Sequence, residues 1–137
     1  MSIAENIARV RANIALAARE AGRSASEITL VGASKMNDAD TVRRAIAAGL
    51  GICGENRVQE MLEKNALGAY EGAELHFIGH LQKNKVKNVV GLAKLIHGVD
   101  STALMEAISK TACRMGIVQD VLIEINIALE AAKSGFA

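Results

Sequence analysis

Residues 28–60 read ITLVGASKMNDADTVRRAIAAGLGICGENRVQE. The stretch opens on a short apolar run with β-branched residues, 28–33, which reads as a buried strand. Ser34 and Lys35 follow it. Asp38 then stands as the N-cap of a helix over 38–48, stopped by Gly49. LGIC (50–53) is a second strand, and Gly54, Glu55 and Asn56 lead into a second helix over 56–67, with Val58, Met61 and Leu62 on one stripe. A strand, a helix and another strand joined by short links form the unit of a parallel sheet, because parallel neighbours need a crossover between them.

The same rhythm continues on both sides. Ile3, Ile7, Val10, Ile14 and Ala17 recur at helical spacing, so 3–21 reads as an amphipathic helix stopped by Gly22. Ser24 and Glu27 have the spacing of a capping box. Downstream, strands are predicted at 74–78, 94–99 and 120–127, with helices over 82–90 and 101–115, the last between Ser101 as N-cap and Gly116 as stop. Strand starts near 28, 50, 74, 94 and 120 give intervals of 22, 24, 20 and 26 residues. Right-handed crossovers of this kind leave two architectures, an open doubly wound sheet or a (β/α) barrel. No proline-rich or low-complexity linker divides the chain, so one domain is expected.

Composition narrows the function classes. Half of the 137 residues are hydrophobic, with only three aromatics, Tyr70, Phe77 and Phe136, so the core must be aliphatic. Proline is absent, where average usage would give about seven. The balance of 16 basic against 15 acidic residues lacks the basic surplus of a nucleic-acid footprint. No apolar run approaches the length of a membrane span, and the charged N-terminus lacks the apolar core of a signal peptide. Cys53 and Cys113 are isolated and read as two reduced thiols in a cytoplasmic protein.

In either architecture ligands bind at the C-terminal ends of the strands. Polar residues gather just there: Ser34 and Lys35, then Gly54 to Asn56, then Gly79 to Gln82, then Asp100 and Ser101, then Asn126. Loops are polar in any case, and helix capping alone accounts for Asp100 and Ser101. Lys35 carries more information. It shares a strand face with Val31 and the small Ala33. A lysine held there among apolar neighbours can bind an anion or, with its pKa lowered by desolvation, condense with an aldehyde. The plainer reading is a lysine snorkelling to solvent. His76 and His80 lie on one face too far apart to share a metal easily, and no metal site is expected. Lys83, Lys85 and Lys87 form a basic run that reads as a solvated face or as a phosphate contact. No glycine-rich nucleotide loop and no Ser/His/Asp or Cys/His set appears.

The segments ITLVGASK (28–35), GENRVQE (54–60), ELHFIGHLQKNK (74–85), LIHGVDS (95–101) and INIALEAAKSG (125–135) together resemble the pyridoxal 5′-phosphate (PLP) homeostasis protein family. Those proteins are single-domain relatives of the alanine racemase N-terminal barrel. The resemblance implies a partial (β/α)8 TIM-type barrel with about five parallel βα units after an N-terminal helix. It implies a PLP-binding protein of vitamin B6 homeostasis. Lys35 would form the Schiff base with PLP, Asn56 would lie beside the cofactor, and the Gly79–Gln82 segment with His80 would border the pocket. It also implies a non-catalytic carrier, without catalytic or metal-binding residues, that acts in the cytoplasm and passes PLP to PLP-dependent apoenzymes.

The sequence departs from the family pattern in three places. Met36-Asn37-Asp38 stands where many relatives have a second lysine and a proline, which puts any role of that lysine in cofactor transfer in doubt here. Proline is missing at other turns as well. The chain also stops after KSGFA, where the family continues with three βα units that hold the cofactor phosphate. A complete barrel takes at least about 200 residues, so a single truncated domain over 1–137 is expected. Relatives of the family are monomers, whereas an open sheet with two free edges invites self-association. Two alternatives remain: a racemase-like PLP enzyme, or an α/β fragment without cofactor. Racemases of the related fold pair their lysine with a tyrosine from another domain. The one tyrosine, Tyr70, falls in the loop before the third strand, at the end of the barrel opposite Lys35.

Overall fold

A computed structural model describes residues 1–137. The amphipathic N-terminal stretch forms α1 (Ile3–Glu20), whose Ser2 and Glu5 make a reciprocal capping box. A second capping box between Ser24 and Glu27 closes the turn into the first strand. The alternation then runs β1 (Gly32–Ala33), α2 (Ala39–Ala47), β2 (Ile52–Glu55), α3 (Val58–Ala66), β3 (Glu74–Phe77), α4 (Val86–Val89), β4 (Leu95–Val99), α5 (Thr102–Met115) and β5 (Asp120–Ile123). The predicted caps hold. Asp38 accepts from the Thr41 amide at 2.7 Å, Ser101 accepts from the Leu104 amide at 3.2 Å, and Gly116 ends α5 in the left-handed region at φ 69°.

All five strands are parallel and lie in the order of the sequence, β1-β2-β3-β4-β5. That order separates the two architectures. A doubly wound sheet reverses direction once, which places helices on both faces. Here the order never reverses, so right-handed crossovers place every connecting helix on the same face. The result is the singly wound arrangement of a barrel wall with five strands.

The core lies between the sheet and that helical layer. It is a cluster of 19 buried hydrophobic residues, among them Phe77, Met61, Ile96, Val89 and Val99 with no exposed surface. As the composition requires, it is almost wholly aliphatic. The other face is concave. Thr29 and Val31 beside one edge strand line a single cavity of about 430 Å³ together with Asp120 and Leu122 from the other. Beyond that cavity the β5 side leaves Ile123, Ile125 and Ile127 exposed.

Three elements differ from the sequence reading, each for a local reason. The first strand is paired only at Gly32 and Ala33, opposite Cys53 and Gly54. In that register Val31 lies opposite Ile52 at the start of β2, and residues 28–30 face the Gly49–Gly51 turn, which offers no ladder. The helix expected over 82–90 divides into a 3-10 turn (Lys83–Lys85) and the short α4. Gln82 provides no side-chain cap, and β-branched Val86, Val89 and Val90 propagate a helix poorly. The last strand stops at Ile123 because the chain beyond it pairs with its own tail: the Phe136 amide donates to Glu124 O at 2.8 Å and the Asn126 amide to Phe136 O at 2.7 Å.

Because Phe77 sits fully buried in the central strand, Phe77→Ala should cost about 3–5 kcal/mol of stability. Ile127→Ser, at a side chain 89% exposed, should stay within about 0.5 kcal/mol. Urea unfolding of the two variants checks both, and equal losses would contradict the placement of the core on the helical face.

Candidate functional site

Strand alternation sorts the polar residues at the C-terminal ends into two groups. Ser34 and Glu55 point into the helical layer and are buried. Lys35 and Asn56 follow them in the chain. Each lies two positions beyond the pair formed by Ala33 and Gly54, which face one another. Lys35 is exposed, in contrast to the apolar surroundings expected for it, and its ammonium takes part in none of the hydrogen bonds or ion pairs. Asn56 is half-buried.

The rim is built by close backbone approach. A side chain on Gly79 would stand 2.5 Å from Asn56 O and 2.8 Å from its Cα, so only glycine lets the loop after β3 lie against Asn56. A side chain on Gly98 would in turn stand 3.0 Å from Gly79 O and 3.6 Å from Glu124 Oε2. The ends of β2, β3, β4 and β5 thus pack in one continuous row. His80 extends from it, exposed, with Nδ1 3.3 Å from Asp100 Oδ2. Of the residues singled out in the sequence, Lys35, Asn56 and His80 all fall at the C-terminal ends of the strands.

Behind Lys35, in the helical layer, lies a polar cluster that the sequence reading did not assemble. Lys64 of α3 is buried, and its ammonium donates to Glu55 Oε1 at 2.9 Å, Glu60 Oε1 at 2.8 Å and Ser34 O at 2.7 Å. Glu55 Oε1 also accepts from Ser34 Oγ at 2.6 Å and from the Tyr70 hydroxyl at 2.9 Å, while its buried Oε2 has no partner. Glu60 Oε1 accepts from the Met36 amide at 2.5 Å. Burial opposes charge on Lys64, but the hydrogen bonds to Glu60 and Glu55 outweigh it and raise its pKa above the ordinary lysine value. The Lys64 hydrogen bond holds the Glu60 carboxyl below its ordinary value. Burial, followed by the nearby Glu55 charge, pushes the Cys53 thiol up to about 11. Burial, followed by its hydrogen bond to Glu55, raises Tyr70. The Tyr70 backbone lies before β3 as expected, yet its hydroxyl reaches the Glu55 carboxylate in the helical layer, on the side of the sheet away from the concave face.

The concave cavity holds a second pair. His76 Nδ1 and His97 Nε2 lie 3.0 Å apart, and His76 Nε2 lies 3.4 Å from Glu74 Oε2. His76 therefore meets His97 on the neighbouring strand, and His80 stands apart on the rim. Burial, reinforced by His76, lowers the His97 pKa below the usual 6.5. A separate groove of about 460 Å³, lined mostly by apolar residues, runs between α1, α2 and the edge strand β1 and reaches Ser34 and Asn37 on either side of Lys35 and Met36.

The chain is similar to known proteins over nearly its whole length. It is 43% identical over 135 residues to the pyridoxal phosphate homeostasis protein of Aquifex aeolicus, covering 98% of this chain and 59% of that one. A crystal structure of an unknown protein from Bifidobacterium adolescentis superposes with a TM-score of 0.88 at 36% identity, covering 98% of this chain and 59% of the other. PipY of Synechococcus elongatus superposes with a TM-score of 0.85 in its structure without PLP and 0.78 in its structure with PLP bound, at 31% and 30% identity, covering 99% of this chain and 59% and 58% of theirs. No family model matches the chain. The chain spans about 59% of the length of the curated relatives it matches.

The burial of His97 makes stability depend on pH. Because the folded-state pKa of His97 is depressed, the unfolded chain binds the proton more readily. His97 therefore contributes full stability above 6.5, and that contribution falls as pH drops through 6.5 toward the folded value. Thermal melts at pH 7.5 and pH 5.5 should show a smaller drop for His97→Gln than for the wild type. An identical drop in the two proteins would remove His97 as a source of the acid sensitivity.

Proposed function

We propose that this chain, a homologue of the pyridoxal phosphate homeostasis proteins that spans about 59% of their length, binds PLP through a Schiff base on Lys35. One observation carries the reading: the strand-end lysine presents an amine without a hydrogen-bond or salt-bridge partner beside Asn56, and a solved relative of the same fold is described with PLP bound. The residues present fit the aldehyde end of such a ligand. PLP supplies an aldehyde, and condensation with a primary amine forms a carbon–nitrogen double bond and releases water. Lys35 supplies the amine, the Asn56 amide offers a donor and an acceptor at the rim, and His80, oriented by Asp100, borders it.

The role is that of a cytoplasmic PLP carrier within vitamin B6 homeostasis, built as a single barrel-type domain and able to serve PLP-dependent apoenzymes. No helix is long and apolar enough to cross a membrane. A racemase-like activity is disfavoured because such a reaction needs a second acid–base group facing the lysine. The one tyrosine, Tyr70, is instead engaged with Glu55 in the helical layer. The exposed Ile123, Ile125 and Ile127 beside a free strand edge support self-association of the 137-residue chain.

Incubation with PLP followed by borohydride reduction and peptide mass spectrometry should place the added mass on Lys35, and Lys35→Ala should lose it. A mass spread evenly over Lys83, Lys85, Lys87 and Lys110, or labelling unchanged in Lys35→Ala, would overturn the assignment. Amino-acid racemization above background with PLP present would overturn the carrier role. Sedimentation velocity of the chain at rising concentration should show dimers or larger species, and a monomer throughout would overturn the self-association.

A further inference from the structure

The cluster around Lys64 has a direct geometric relation to Lys35. The conformation of a residue is fixed when the two peptide groups flanking its Cα are fixed. The peptide before Lys35 is held by its carbonyl, Ser34 O, which accepts from Lys64 Nζ at 2.7 Å. The peptide after Lys35 is held at both ends. Its amide, on Met36, donates to Glu60 Oε1 at 2.5 Å, and its carbonyl, Lys35 O, accepts from Asn37 Nδ2 at 3.1 Å. Glu60 is itself bound to Lys64 Nζ at 2.8 Å. One buried ammonium thus organises the restraint on both sides of Lys35.

The restraint holds an unfavourable geometry. Met36 has φ 61°, in the left-handed region that residues other than glycine seldom adopt. Its side chain is 89% exposed, so side-chain packing does not impose the turn. The turn is closed by the Asn37 amide, which donates to Ser34 O at 3.2 Å, and is braced by the hydrogen bond from the Met36 amide to Glu60. Meanwhile the Lys35 side chain has no partner of its own. A rigid backbone beneath a free amine is the arrangement in which capture of a ligand costs only side-chain ordering.

We propose that Glu60, Lys64 and Asn37 form a clamp that fixes the backbone of Lys35 and thereby sets the rate at which its amine captures a carbonyl ligand. These are positioning residues. The inference rests on the reading of Lys35 as the PLP-bearing lysine and assigns the residues that hold it ready.

The test follows the rate of borohydride-trapped PLP labelling at Lys35 in the full chain, with exposed Lys83 and Lys110 as internal references. Glu60→Ala should slow labelling at Lys35 by about 10-fold or more, since misplacement of a reacting group by 1 Å costs about a hundredfold. The reference lysines should be unaffected. Glu60→Gln, which keeps an oxygen to accept from the Met36 amide, should restore most of the rate. Asn37→Ala, at an exposed position that folding tolerates, should slow Lys35 by about fivefold, the worth of one ordinary hydrogen bond. It carries the test if Glu60→Ala does not fold. A wild-type preference for Lys35 that survives these substitutions unchanged overturns the clamp alone. A wild-type chain with no preference for Lys35 overturns both the clamp and the PLP reading. Slowing at Lys35 and at the reference lysines together would mark a general loss of structure and overturn the clamp.

Discussion

The Lys64 ammonium, held between the Glu55 and Glu60 carboxylates under the first two strand ends, is the interaction on which the geometry of the rim depends. It spends its three donors on Ser34, Glu55 and Glu60, which is all that a lysine has. Such a charge is tolerated in the interior only because it is paired and fully bonded, and removal of one partner from a buried pair costs about 3–5 kcal/mol. A well-packed hydrophobic substitute for the whole cluster would serve stability equally well. What the ionic version adds is position, because its bonds are directional and end on named backbone atoms: the Ser34 carbonyl directly, and the Met36 amide through Glu60.

The concave face obeys a different rule. Near the rim its neighbouring strand ends touch through backbone at Gly79 and Gly98. Lower in the same face, His76, His97 and Glu74 form a polar chain. The sheet therefore has a mostly apolar, tightly packed outer layer with the Lys64 cluster set into it, and an inner face where His76, His97 and Glu74 stand among Val31, Ile52, Leu95 and Leu122. Ser34 and Lys35, adjacent in sequence, divide into a buried and an exposed residue. One of them takes part in the buried cluster and the other presents an unpaired amine.

Most of the fold was legible from residues 28–60 and their echoes, because strand-helix alternation is a periodic signal carried by local sequence. Caps at Asp38, Ser101 and Gly116 were legible for the same reason. The length of β1 was not, since its pairing ends where the neighbouring turn at Gly49–Gly51 begins, and that depends on register between segments. Lys35, Asn56 and His80 could be placed at strand ends from order alone. The clamp could not. Glu60 and Lys64 stand four apart on a helix and look like any exposed pair, and only burial reveals that Lys64 faces inward. The meeting of His76 with His97 was hidden likewise, because it joins two strands across a ladder and not two residues along one.

The strictly consecutive order of the strands also bears on how the chain reaches its structure. Each new strand docks on the one made just before it, and each helix covers a pair already formed. Each pairing therefore joins segments one crossover apart, the shortest separation that parallel strands allow, although such pairing closes more slowly than the local contacts of a helix. A sheet that grows at one edge can follow the direction of synthesis, with β1 and β2 joined while β5 is still being made. Glu55, Glu60 and Lys64 all belong to the first two units in that order. The seat of Lys35 would then be complete early, while the later strands were still arriving.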